Sequence, residues 1–124
     1  MDTSKTVLVI DDDVILAHAL SVRLTNDGIR VLQAENGEMG LEMALEKKPD
    51  FIVLDVIMPK IDGMTMLKRL REDEWGKDVP VMLLTNLDKS CNELAAQGAP
   101  NCSCFIKSNC KIAEVIAEIE KHLA

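Results

Sequence analysis

Short, continuously apolar runs alternate with stretches in which apolar residues recur every three or four positions, and the alternation repeats five times along the chain. Thr6 to Ile10 (TVLVI) is rich in β-branched residues and apolar throughout, the composition of a strand covered on both faces in a parallel sheet. Val14, Ile15, Ala17, Leu20, Val22 and Leu24 then follow a helical spacing, and Gly28 stands where a helix C-cap glycine belongs. Ile29 to Ala34 reads as a weaker second strand. Asn36-Gly37 turns the chain into a helix carrying Met39, Leu41, Met43, Ala44 and Leu45, stopped before Pro49. Phe51 to Leu54 (FIVL) is a third buried strand ending at Asp55. A loop with Pro59 and Gly63 leads from it to a helix through Met64, Met66, Leu67 and Leu70. Val81 to Leu84 (VMLL) is the fourth strand, ending at Thr85, and Ser90-x-x-Glu93 has the form of a capping box for a short helix closing near Gly98. The fifth strand covers about Ser103 to Ile106 and ends at Lys107, and the last helix is amphipathic through Ile112, Val115, Ile116, Ile119 and Leu123. With no internal repeat or low-complexity tract, this order predicts an α/β fold.

Four of the strands end in chemistry. Asp11-Asp12, Asp55, Thr85 and Lys107 directly follow the first, third, fourth and fifth runs. Parallel strands gather their C-terminal ends at one edge, where diverging loops leave a crevice, so these five side chains are expected to line one pocket. Three crowded carboxylates repel one another, and a hard divalent cation removes that repulsion by taking their oxygens as ligands. Mg²⁺, with Mn²⁺ as substitute, prefers one or two carboxylates plus water and phosphate oxygens. A carboxylate there is able to attack phosphorus and form an acyl phosphate, with the cation and Lys107 balancing charge. Thr85 is then placed to hydrogen-bond a phosphoryl oxygen. Singly, each group has a plainer explanation: Asp11, Asp12 and Asp13 as helix caps, Asp55 as a turn residue, Thr85 as a strand-end hydroxyl, Lys107 as a solvated amine. Their joint arrival at one sheet edge favours the shared site.

At 124 residues the chain has room for one domain, taken as 1–124. Only three residues are aromatic, so the core is expected to be aliphatic. With 14 Lys+Arg against 21 Asp+Glu the net charge is −7, which opposes nucleic-acid binding. A polar start and the lack of any run of 18 apolar residues give no signal for secretion or membrane insertion, and the expected location is cytoplasmic. In that compartment Cys91, Cys102, Cys104 and Cys110 are expected to be reduced thiols, and their spacing lacks the paired C-x-x-C of structural zinc.

VLVIDDD, FIVLDVIMPKIDGMTML, PVMLLT and CFIK together resemble the receiver domain of bacterial two-component response regulators over nearly the full length. The resemblance implies a flavodoxin-like (βα)5 fold with strand order 2-1-3-4-5, and Asp55 as phosphoacceptor. It further implies metal ligation by Asp11, Asp12, Asp55 and the backbone carbonyl of Ile57, with Thr85 as the switch hydroxyl and Lys107 as the phosphate-pairing amine. The implied donor is a phosphohistidine on a sensor histidine kinase or histidine phosphotransfer protein, and the receiver is a substrate carrying catalytic residues rather than a free-standing enzyme. Output is implied to pass by protein contact through the fourth helix, fifth strand and last helix. Three positions depart from the family pattern: Ser108 replaces the usual proline after the lysine, Cys104 replaces the aromatic that couples to the threonine, and Asn86 replaces a small residue that leaves access for a donor. Phe105 is expected to point to the opposite face from Cys104. Ile57 and Leu87, both aliphatic, are expected to shield an acyl phosphate from water.

Other readings use the same residues. A degenerate receiver acting as an unphosphorylated scaffold keeps the fold but not the chemistry. A phosphohydrolase with Asp11 as nucleophile and Asp13 as acid lacks room for the cap that excludes water. A flavin or nucleotide binder wants glycine or hydroxyl residues in the first loop, where this chain has three aspartates.

Overall fold

The computed structural model describes residues 5–58, 61–86, 91–109 and 111–123. Strands β1 (Thr6–Ile10), β2 (Arg30–Ala34), β3 (Phe51–Asp55), β4 (Val81–Thr85) and β5 (Cys102–Ile106) alternate with helices α1 (Val14–Asn26), α2 (Gly37–Lys47), α3 (Gly63–Arg71), α4 (Cys91–Gln97) and α5 (Ile112–Leu123). The strands form one parallel sheet in the order β2-β1-β3-β4-β5.

Strand parity divides the core in two, because successive side chains leave opposite faces of the sheet. Val7, Val9, Phe51, Val53, Met82 and Leu84 pack against Ala17, Leu20 and Leu24 of α1 and Val115, Ile116 and Ile119 of α5. Leu8, Ile10, Ile52, Leu54, Val81 and Leu83 pack against Ala44, Met66, Leu67 and Leu70 of α2 and α3, with Leu94 of α4 partly buried on the same side. Phe105 joins the α1/α5 face and Cys104 the other, as their adjacency requires. β1, β3 and β4 are covered on both sides, which is why their sequences are unbroken apolar runs.

Each of the first three helices opens on a side-chain cap. Asp13 accepts from the amides of Ile15 and Leu16, Asn36 from Met39, and Asp62 from Thr65, each worth roughly 1 kcal/mol. Ser90, expected to cap α4, lies outside the described residues. Gly28 takes φ +84° two residues beyond α1, the conformation its place after the helix calls for. Gly63 is required for a different reason: a Cβ there meets the Asp55 carbonyl oxygen and lies 2.8 Å from the Val56 Cα, so α3 can start against the end of β3 only without a side chain.

Three expectations are corrected. The core is not wholly aliphatic, since Phe51 is fully buried with the His122 ring 5.2 Å away. Val14, Ile15 and Val22, which fit the helical spacing of α1, are exposed, because its packed stripe is Ala17, Leu20 and Leu24. The thiols are not all free: Cys91 and Cys104 are joined in a disulfide, and Cys102 is a free thiol. The spacing along the chain hides this pair, because α4 folding back on β5 is what brings the two together. No described helix is long and apolar enough to cross a membrane.

Candidate functional site

Backbone register sets the site. Ile10 pairs with Leu54, so the residues just beyond them, Asp11 and Asp55, emerge side by side at the carboxyl edge of the sheet. Asp55 pairs with Leu84, which puts Thr85 one residue further along the neighbouring strand, itself in register with Ile106 before Lys107. Asp11, Asp12 and Asp55 each contribute one carboxylate oxygen to a group lying within 4.8 Å of one another. The Lys107 ammonium lies 3.1 Å from Asp11 Oδ2 and 3.4 Å from Asp55 Oδ2. Asp11, Asp55 and Thr85 are buried and Asp12 is exposed, so the cluster faces solvent on the Asp12 side.

Electrostatics make this an unstable arrangement of charge. Burial, then the Asp11 carboxylate, pushes Asp55 from 3.8 up to about 7, against the opposing pull of Lys107 and the Ile57 amide. That amide donates to Asp55 Oδ1 at 3.4 Å. Burial acts to lower Lys107, but hydrogen bonding and attraction from Asp11 and Asp55 together outweigh it and hold the ammonium above its ordinary 10.5. Asp11 Oδ1 accepts from the Asp13 amide at 2.8 Å and from Lys107 at 3.2 Å. Asp11 Oδ2, although close to the ammonium, is out of line for a hydrogen bond and is a buried oxygen without a donor. A buried carboxylate oxygen with no donor, beside two further carboxylates, is what a hard cation satisfies. The donor set therefore fits Mg²⁺, which Asp11, Asp12 and Asp55 would hold.

Asp13 does not join them, being occupied in capping α1. Asn86 and Ile57 are exposed at the ends of their strands, and Lys107 opens a single 3-10 turn, Lys107–Asn109, that includes Ser108. Cys104 is on the α4 side of β5, bonded to Cys91. Leu87 lies outside the described residues. Two structural residues escaped the sequence reading. Nothing in the sequence marks Cys91, expected to be a reduced thiol, as half of a bridge, or Arg71 as the side chain that ties α3 to the α4–β5 connection.

The family described as "Response regulator receiver domain" matches residues 7–120. The DNA-binding dual master transcriptional regulator RpaA of Synechocystis sp. is 43% identical over 81 residues, 65% of this chain and 34% of that protein. The chain thus spans about a third of the length of such curated relatives. Among solved structures, the receiver domain of the Francisella response regulator 1452 aligns with TM-score 0.84 and 28% identity, covering 97% of each chain. The Thermotoga maritima response regulator TrrA, in complex with Mg²⁺ and BeF, aligns with TM-score 0.78 and 26% identity over 95% of this chain and 98% of that one.

Proposed function

Because this chain belongs to the response regulator receiver domain family, and so to the proteins of phosphorelay signalling, we propose that it takes a phosphoryl group on Asp55 and changes its protein contacts in consequence. The observation that carries this is the convergence of three carboxylates and one ammonium at the end of β3. An Asp55 oxygen attacks phosphorus, an Asp55 O–P bond forms, and the donor's P–N bond breaks, returning a histidine imidazole to a sensor histidine kinase or histidine phosphotransfer protein. Asp11, Asp12, Asp55 and the Ile57 carbonyl would hold Mg²⁺, or Mn²⁺ in its place, and the bound ion would supply positive charge that favours ionised Asp55 and offsets the charge on the phosphoryl oxygens. Lys107, already paired to Asp55 Oδ2, holds the phosphoryl oxygens once its carboxylate partner is esterified, and Thr85 donates its hydroxyl to another. The chain acts on its own side chain and on no external substrate. Val14, Ile15 and Ile57, apolar and exposed close to the acids, suit a protein donor that covers the pocket during transfer. A donor of this kind places the protein in the cytosol, with the downstream protein target bound through the α4–β5–α5 face and no role for nucleic acid or membrane contact.

Intact-mass measurement after acetyl phosphate treatment tests the reading. A gain of roughly 80 Da, one phosphoryl group, is expected with Mg²⁺ and is expected to vanish in Asp55→Asn or in chelator. Label that survives either change sinks it.

Ile57 and Leu87 act as shields in this reading. Replacing both by alanine is expected to shorten the life of the acyl phosphate about 3- to 10-fold, through freer approach of water. An unchanged decay of radiolabel from the purified phosphoprotein would remove them from that role.

A further inference from the structure

The disulfide lies where it can govern the switch. Cys91 is the first residue of α4, and Cys104 lies in the middle of β5, in register with Leu83, two residues before Thr85 on β4. The bridge, with Cα atoms 5.5 Å apart, is therefore within ordinary reach for an unforced linkage. It fastens the start of α4 to the strand beside the one that carries Thr85. Among the described residues, the side chains of the helix itself are thinly buried. α4 has seven residues, too few to be stable alone, and Cys91 is its one buried residue. Leu94 packs only partly against the core. A short helix with few buried contacts belongs to the low-stability end of a fold, so a covalent tie has most effect there.

We propose that Cys91 and Cys104 form a thiol–disulfide exchange site, read by low-molecular-weight thiols and disulfides of the glutathione class, that decides whether α4 is held to β5 or free to shift. Its consequence for signalling rests on the phosphoacceptor reading above. Reduction begins at Cys104, the partly exposed member of the pair: a thiolate attacks its sulfur, the Cys91–Cys104 bond breaks, and Cys91 leaves as thiolate and is protonated. A second thiol then displaces Cys104 from the mixed disulfide, so that two thiols become one small disulfide and the protein gains two thiols. The reverse reaction with glutathione disulfide restores the bridge, and electrons balance in both directions. Cys102 lies on the same side of β5, but burial pushes its thiol up to about 11 and keeps it protonated, so it does not compete. Bridges in reducing compartments are usually transient and redox-sensing, the use assigned here.

The test compares wild-type protein equilibrated with glutathione disulfide against the same protein in excess dithiothreitol. Peptide mapping after alkylation reads the bridge, and hydrogen–deuterium exchange reads residues 91–97. The expected result is a mapped Cys91–Cys104 bridge with α4 amides exchanging about 10-fold slower than in the reduced form. Mg²⁺ with beryllofluoride is expected to alter α4 exchange in the reduced form and leave it unchanged in the oxidised one. Cys91→Ser and, independently, Cys104→Ser are expected to behave as reduced protein at every glutathione ratio. Absence of the bridge at all ratios, or α4 exchange equal within twofold in the two states, overturns the proposal. Acetyl phosphate labelling of Asp55 is run in parallel. Normal labelling with redox-independent α4 exchange overturns the exchange site alone, whereas redox-dependent exchange without labelling supports it and overturns the phosphoacceptor reading.

Discussion

In the absence of divalent cations, Asp55→Asn is expected to be more stable than the wild-type protein at pH 8, by about 2 kcal/mol, and to lose that advantage by about pH 4. The sign follows from Asp55. Its carboxyl titrates near 7 in the folded chain, because burial and Asp11 oppose its charge, against 3.8 when unperturbed. Between those two values the folded state holds a proton that the unfolded state has released. Wild-type stability therefore falls as pH rises through this window, and the contribution is intact only below it. The full shift corresponds to roughly twice the stated figure, but solvent reaching the pocket from the Asp12 side screens part of it. Asparagine keeps the shape without the charge, so the difference between the two proteins separates Asp55, with its effect on Asp11 and Lys107, from titrations elsewhere in the chain. Urea unfolding at pH 4, 6 and 8 in chelator measures it. Millimolar Mg²⁺ is expected to recover stability in the wild-type protein and much less in Asp55→Asn, since binding to the folded state alone adds stability. A mutant less stable than wild type at pH 8, or a gap that does not change with pH, contradicts this account of the pocket.

Strand burial is what made the site legible in the sequence. Strands β1, β3 and β4 are buried on both faces, so they are written as unbroken apolar runs, and the first polar residue after each marks the sheet's carboxyl edge. Asp11, Asp55 and Thr85 announce themselves by ending such runs, and Lys107 does so at the end of β5. The division of labour among three consecutive aspartates was not legible. Asp13 was open to reading as a cap or as a spare acid, and only the start of α1 decides that it caps while Asp11 and Asp12 face Asp55. Val14 and Ile15 match a helical spacing as well as Ala17 and Leu20 do, but they are exposed while the packed stripe of α1 runs through Ala17, Leu20 and Leu24. The Cys91–Cys104 bridge depends on where a seven-residue helix lands, a tertiary fact with no periodic trace.

Arg71 is the strongest case of a residue whose importance exists only in three dimensions, and replacing it is expected to cost about 3–5 kcal/mol, much of the roughly 5–15 kcal/mol that holds such a domain folded. Its position in the last turn of α3 suggests a surface cation favoured by the helix dipole, worth under about 1 kcal/mol. The side chain instead spends its whole donor set on backbone carbonyls. Nε donates to Gly98 at 2.7 Å, Nη1 to Gly76 at 2.9 Å and Val79 at 2.7 Å, and Nη2 to Pro100 at 2.8 Å and Asn101 at 3.4 Å. Those carbonyls belong to the segment entering β4 and to the connection between α4 and β5, which are also joined by the Val81 amide donating to the Asn101 carbonyl and the Asn101 side-chain amide donating to the Asp78 carbonyl. Burial pulls the guanidinium below its ordinary value, yet the group stays charged, and its bonds to neutral carbonyls gain strength from that charge. Arg71→Met fills similar space and removes the guanidinium donors from the Gly76, Val79, Gly98 and Pro100 carbonyls, whereas Asn101 keeps the Val81 amide, and this separates the hydrogen bonds from the packing. Arg71→Lys keeps the charge but concentrates its donors at one point, and is expected to recover less than half of the loss. Chemical denaturation of the two variants reads these differences directly. Acetyl phosphate labelling at Asp55 in the folded fraction is expected to persist, because Arg71 bonds at the opposite end of β4 from Thr85. A loss below about 1 kcal/mol in Arg71→Met would return this arginine to the solvated helix end that its sequence position suggests.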